Sequence, residues 1–137
     1  MTTLAAEQRD LNIINRGRVE RENLQEFLSC GDVDIVSLDS EVVGTCVPSN
    51  LYPLIALGIP VIFVGPRSCQ TAIDIENATA GIVCQTAREL LLAVNKLGNS
   101  AQLQKKFGTN AKRAFIQSHC LSYSTGQWGD LIRQCRC

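Results

Sequence analysis

Few residues in this chain have the type and spacing that chemistry requires. Ser49, in Val47-Pro-Ser-Asn-Leu51, stands just before an apolar run of helical spacing. A serine there can cap the helix, its oxygen accepting from an orphan amide. The same hydroxyl and the free amides of a helix start can instead meet a phosphate. Spacing alone leaves both open. Asp32, Asp34 and Asp39 surround an apolar segment, and Asp34 should turn to a surface or a helix interface. His119 has no serine or cysteine arranged with it for nucleophilic catalysis and is expected to end a long helix. No residue can be named as catalytic.

The seven cysteines point away from metal chemistry. Cys30, Cys46, Cys69, Cys84 and Cys120 stand singly, and Cys135 and Cys137 form Cys-Arg-Cys. A tetrahedral zinc site needs ligands paired in two local segments, and no Cys-x-x-Cys occurs. The odd count, with no apolar leader in Met1 to Asp10, predicts reduced thiols that serve mostly as small core residues. No metal and no cofactor is expected.

Charge and hydropathy exclude further classes. Thirteen basic side chains balance thirteen acidic ones, so there is no net field to hold a nucleic acid. Lys105, Lys106, Lys112 and Arg113 read as a solvated helix flank. No apolar stretch is long enough to cross a bilayer, and the expected location is the cytoplasm. Neither a Walker-type Gly-x4-Gly-Lys nor a Gly-x-Gly-x-x-Gly is present.

The elements that must position these residues alternate in type. Leu11-Asn-Ile-Ile14, Val33 to Leu38, Val61-Ile-Phe-Val64 and Ala80 to Cys84 read as strands. Val61 to Val64 is apolar throughout, the mark of a strand covered on both faces. Between them lie helices around Leu24, Phe27 and Leu28, and from Pro48-Ser49 to Gly58-Ile-Pro60. Thr86 and Glu89 form a capping box ahead of an apolar face of Ala87, Leu90, Leu91, Val94 and Leu97. Ser100 caps the next helix, with Leu103, Phe107, Ala111 and Ala114 on one face. A last helix begins near Ser124 and carries Trp128, Leu131 and Ile132, Trp128 being a core or interface anchor. This predicts a single α/β domain: a Rossmann-like, doubly wound parallel sheet of about four strands, ending in two or three helices. Ligands of such sheets bind outside the carboxyl ends of the strands, which directs attention to the loops at 16–19, 39–49 and 65–70.

The segment from Val47 to Pro66 also carries a resemblance. Val47-Pro-Ser-Asn-Leu-Tyr-Pro53, Ala56-Leu-Gly-Ile-Pro-Val-Ile-Phe63 and Gly65-Pro66 resemble a stretch of the retaining "group 1" glycosyltransferases of the two-domain GT-B type. Asn15-Arg-Gly-Arg-Val19, Gly31-Asp-Val33, Ala80-Gly-Ile-Val83, Phe107 to Ala111 and Trp128 to Leu131 resemble other pieces of that family, in the same order. The resemblance runs from about residue 11 to the end. It implies that residues 1–137 form part of the C-terminal, nucleotide-sugar-binding domain, working with an N-terminal acceptor-binding domain or subunit that can hold it peripherally at a membrane, or as a homo-oligomer.

Carried over by position, the resemblance implies that Gly17, Arg18 and Val19 border the nucleotide base. Ser49, Asn50 and Leu51 would face the diphosphate, and Gly65 and Pro66 the sugar. The sugar nucleotide is the donor substrate, and the helix dipole takes the place of a metal. This sequence departs from the pattern at Thr45 and Pro53, where many members carry glutamates, and at Asn50, where they carry lysine. The resemblance therefore implies either part of a transferase or a non-catalytic module that needs a partner chain.

Overall fold

The computed structural model describes residues 14–135. After a 3-10 turn, Arg21–Asn23, come α1 (Leu24–Ser29), β1 (Asp34–Ser37), α2 (Leu51–Leu57), β2 (Val61–Val64) and α3 (Gln70–Ala78). Then follow β3 (Gly81–Cys84), α4 (Ala87–Gly98), α5 (Ala101–Ala114), a π turn (Phe115–His119) and α6 (Leu121–Gln134). The strands are parallel in the order β1-β2-β3, with Asp34, Val61 and Gly81 level at one end and Ser37, Val64 and Cys84 level at the other. The chain is thus an α/β protein. About four strands are expected from the sequence; among the described residues there are three. The expected first strand lies outside the described residues apart from Ile14, which belongs to no strand.

Strand β2 explains the layering. Val61, Ile62 and Phe63 are each at most 1% exposed, and successive side chains enter opposite layers. Val61 and Phe63 join Val36 and Val83 under Leu54 and Ile55 of α2, Ala72 and Ile75 of α3, and Ala111 of α5. Ile62 joins Cys84 against Ala93 and Leu97 of α4 and Phe107 of α5. Each of the larger side chains contributes about 1.5–3 kcal/mol by leaving water. Helix α5 therefore ties both layers together, along the face predicted for it.

Two differences from the sequence expectation have physical causes. Helix α3 is absent from it. In Gln70 to Ala78 the β-branched Thr71, Ile73 and Ile75 alternate like a strand, no side chain caps the start, and the left-handed end falls on Thr79 rather than glycine. On α4 the apolar face is only partly as expected: Leu97 is buried and Leu90 packs on the core, but Ala93 joins them while Leu91 and Val94 are 61% and 41% exposed. Nothing described covers that side of β1, where Ile35 is half exposed. Among the described residues no helix is long and apolar enough to cross a membrane.

The end of α2 sets how closely α5 can approach. Gly58 closes α2 in the left-handed region, at φ 76°, as the glycine signal predicts. A Cβ at Gly108 would overlap the Gly58 carbonyl oxygen, so α5 rests backbone against backbone on that turn. Gly108→Ala should cost about 1–3 kcal/mol or more by overpacking. Gly126→Ala, in an exposed stretch of α6 where a methyl meets nothing within 4 Å, should instead gain about 0.5–1 kcal/mol. Urea melts of the two variants check this opposition of sign.

Candidate functional site

At the carboxyl edge of the sheet β1 and β2 each hand a last backbone bond to the next strand. The Leu38 amide donates to Val64 O at 3.0 Å, and the Gly65 amide to Cys84 O at 2.9 Å. Just beyond these bonds lies a cavity of about 510 Å³, lined by Ser37, Leu38, Asp39, Ser40, Val64, Gly65, Pro66 and Gln85. Gly65 forms its floor. A Cβ there would come within 2.8 Å of Leu38 O and 2.9 Å of the Phe63 ring, so a side chain would push the ends of β1 and β2 apart. A glycine lets them close and leaves backbone facing the cavity.

The polar lining is mixed. Asp39 Oδ1 accepts from the Glu41 amide at 3.0 Å, capping the short 3-10 turn Ser40–Val42, and its other oxygen makes no described bond. Gln85 precedes α4. Its amide donates to Glu89 Oε2 at 2.6 Å, while Thr86 Oγ1 accepts from the Glu89 amide at 3.2 Å. The capping box therefore forms, with Glu89 reaching one residue further back than the cap. Asp39 is the one ionisable residue in the lining. Arg67 turns away: it pairs with Glu76 and donates to Val83 O at 3.0 Å. A carboxylate, hydroxyls, an amide and exposed backbone suit hydroxyl groups better than a phosphate.

Comparison with family models finds no match, and neither do comparisons with curated proteins and with solved structures. The site therefore rests on its own geometry.

Of the residues singled out from sequence, Gly65 and Pro66 line this cavity, and the others lie elsewhere. Gly17, Arg18 and Val19 sit in an irregular segment, the Gly17 amide donating to Asn15 Oδ1 at 2.8 Å. Val19 lines a separate groove with Arg16, Asn23 and Phe27. Ser49 and Asn50 are exposed, and neither caps α2: Asn50 holds the cap position with helical backbone and no side-chain bond. Of the two readings open for Ser49, the helix cap does not form, because the first turn starts earlier, with the Leu51 amide donating to Pro48 O at 3.2 Å. Leu51 itself is a core residue, 2% exposed. With that amide occupied and Pro53 lacking one, the start of α2 offers an anion few donors.

Asp39 and Gln85 carry polar groups that the sequence analysis did not place at a site. Asp39 heads the loop at 39–49, so its position was within reach. Gln85 follows the last strand directly, and the strand-end rule applied to β3 would have found it.

Two thiols are perturbed. Burial, reinforced by the Glu89 charge and opposed by Arg67, pushes the Cys84 thiol up. The Ser122 hydroxyl at 3.1 Å and the first amides of α6 pull the Cys120 thiol down. Cys69 and Cys84 are buried as predicted for core thiols, whereas Cys30, Cys46 and Cys135 are exposed. His119 ends the π turn and tilts against Tyr52, with ring centroids 5.5 Å apart, which gives it a packing role. Among the described residues no group of three His, Cys, Asp or Glu side chains is placed to share a metal.

These caps are separable by mutation. Thr86→Ala and Ser100→Ala each remove an observed cap and should cost about 1 kcal/mol. Ser49→Ala removes none and should stay within about 0.5 kcal/mol of the parent. Chemical denaturation of the three variants decides it.

Proposed function

We propose that this chain binds a sugar nucleotide at the carboxyl edge of its sheet, as part of the donor site of a GT-B glycosyltransferase. The observation that carries this is the cavity over Gly65, at the level strand ends where ligands of parallel sheets bind. Its chemistry fits the sugar. The free oxygen of Asp39 can accept from hydroxyls, Gln85 and Ser40 can donate or accept, and no cation in the lining calls for a phosphate there. The family resemblance alone assigns the diphosphate to Ser49 and Asn50, where the start of α2 offers few amide donors, and the base to Gly17 to Val19. In such an enzyme the glycosyl group passes to a sugar or lipid-linked acceptor while the departing diphosphate is stabilised. The sheet is, on this proposal, one half of a Rossmann-like, doubly wound domain.

A second reading is supported by one observation, the uncovered side of β1. Ile35, Leu91 and Val94 leave apolar surface where a layered sheet is ordinarily closed by another element. A non-catalytic module that closes this surface with a partner chain would share the fold and lack turnover.

Titrating sugar nucleotides and free nucleoside diphosphates into the protein, followed by amide NMR, tests the proposal. Sugar nucleotides should move the amides of Leu38, Ser40, Gly65 and Gln85, and the free diphosphates should move these four least. Silence of all four at millimolar ligand would contradict it. Asn50→Lys places a cation beside the diphosphate. At this exposed position it should tighten binding by about 0.2–1 kcal/mol, a gain that fades with added salt.

A further inference from the structure

Among the described residues, helix α6, Leu121–Gln134, covers almost nothing. None of its residues is buried, and its main packing is against the π turn just before it. Yet one side is apolar, with Leu121, Trp128, Leu131 and Ile132 exposed by 79%, 67%, 52% and 56%. At 3.6 residues per turn these four fall, with Ser124 and Thr125, in a single arc of about 120°. Asp130 and Arg133 lie on the far side and pair with each other at 2.6 Å. A stripe of this width with an indole at its centre has the character of a contact surface.

We infer that this stripe pairs with the same stripe of a second copy of the chain, the two helices antiparallel about a twofold axis at Trp128. Spacing selects that occupant. Ser124 and Thr125 stand four and three residues before Trp128, and Leu131 and Ile132 stand three and four after it. Leu131 and Ser124 lie to one side of Trp128 around the helix and Ile132 and Thr125 to the other, so the axis sets Leu131 against Ser124 of the second copy and Ile132 against its Thr125, each within one residue of level. Large side chains meet small ones, the arrangement that interdigitates without voids. Parallel pairing would stack leucine on leucine and serine on serine, leaving gaps. Charge agrees. The stripe is neutral, the ion pair on the back is internal, and so no like charges are forced together and nothing draws a charged partner. Antiparallel packing also opposes the two helix dipoles.

The size of the surface sets the strength. A 14-residue helix is about 21 Å long, so the pair buries less than the roughly 1,200 Å² of a standard interface. The dimer should be weak, with a dissociation constant of roughly 10–100 μM. Because the contact is isologous it closes at two copies. The pairing does not depend on the ligand proposed above.

Sedimentation of the full chain under reducing conditions, over roughly 5–500 μM, tests the pairing across the expected range. The mass should rise from one copy to two while Trp128 emission shifts to shorter wavelength. Leu131→Glu should raise the dissociation constant by about tenfold or more, with circular dichroism unchanged. Thr125→Arg alters an exposed polar position that no core contact uses and should do the same, which keeps the test decisive if Leu131→Glu fails to fold. Combining Leu131→Glu with Ser124→Lys should recover the dimer, since the new charges face one another only in the antiparallel pair. A chain that stays monomeric at the highest concentration overturns the inference. So does a dimer indifferent to both single variants, or a double variant that stays apart.

Discussion

Burial of β2 on both of its faces is the constraint on which the rest of the structure depends. Four residues, Val61-Ile-Phe-Val64, are paired in parallel on both edges and covered by helices above and below. With no water on any side, every backbone group of the strand must find a partner in β1 or β3, and every side chain must meet an apolar neighbour. That requirement dictates α2 and α3 over one face and α4 over the other. It also brings α5 across the end of α2, close enough that only glycine fits at 108. The same strand then delivers Gly65 to the cavity floor, so core and candidate site share one support.

The neighbouring strands are less constrained, and the structure is uneven as a result. β3 is covered by α3 and α4 and ends in buried Val83 and Cys84. β1 is covered on one face, where Val36 is buried, and open on the other, where Ile35 is half exposed. Its outer edge is also modified locally, because the Asp34 carboxylate accepts from the Ile35 amide at 2.7 Å. A side chain that occupies an edge amide discourages casual strand addition. Apolar surface is thus left open beside β1 and along α6, among other places.

Much of this was legible in the sequence because it rests on periodicity and local signals. The unbroken apolar run of β2, the glycine stop at Gly58, the caps at Thr86 and Ser100 and the face of α5 all follow from residues within a turn of one another. Helix α3 was not legible: its β-branched residues alternate, and both of its ends lack the usual signals. The buried side of α4 was misjudged for a different reason. A helix displays the same stripe whether or not an element lies opposite, and here nothing described lies over β1. The candidate site divides in the same way. Gly65 and Pro66 were found because strand-end loops are where ligands bind. Residue types leave Ser49 as either a cap or a phosphate contact, and the cap reading falls because the first turn of α2 begins at Pro48, a shift of backbone dihedrals that residue types do not reveal. The cavity chemistry of Asp39 and Gln85 arises only when three separate strand ends are brought level.

If β2 is the common support of core and cavity, native-state hydrogen exchange is the most direct measurement. The amides of Ile62, Phe63 and Val64 should exchange only through global unfolding, with the highest protection in the chain and the same denaturant dependence as the complete melt. Amides of β1 that face its open edge should exchange through smaller openings. Were the β2 amides to exchange by local opening while those of α4 or α5 stayed protected, the helices would hold together without the strand, and the dependence of the fold and its cavity on β2 would be wrong.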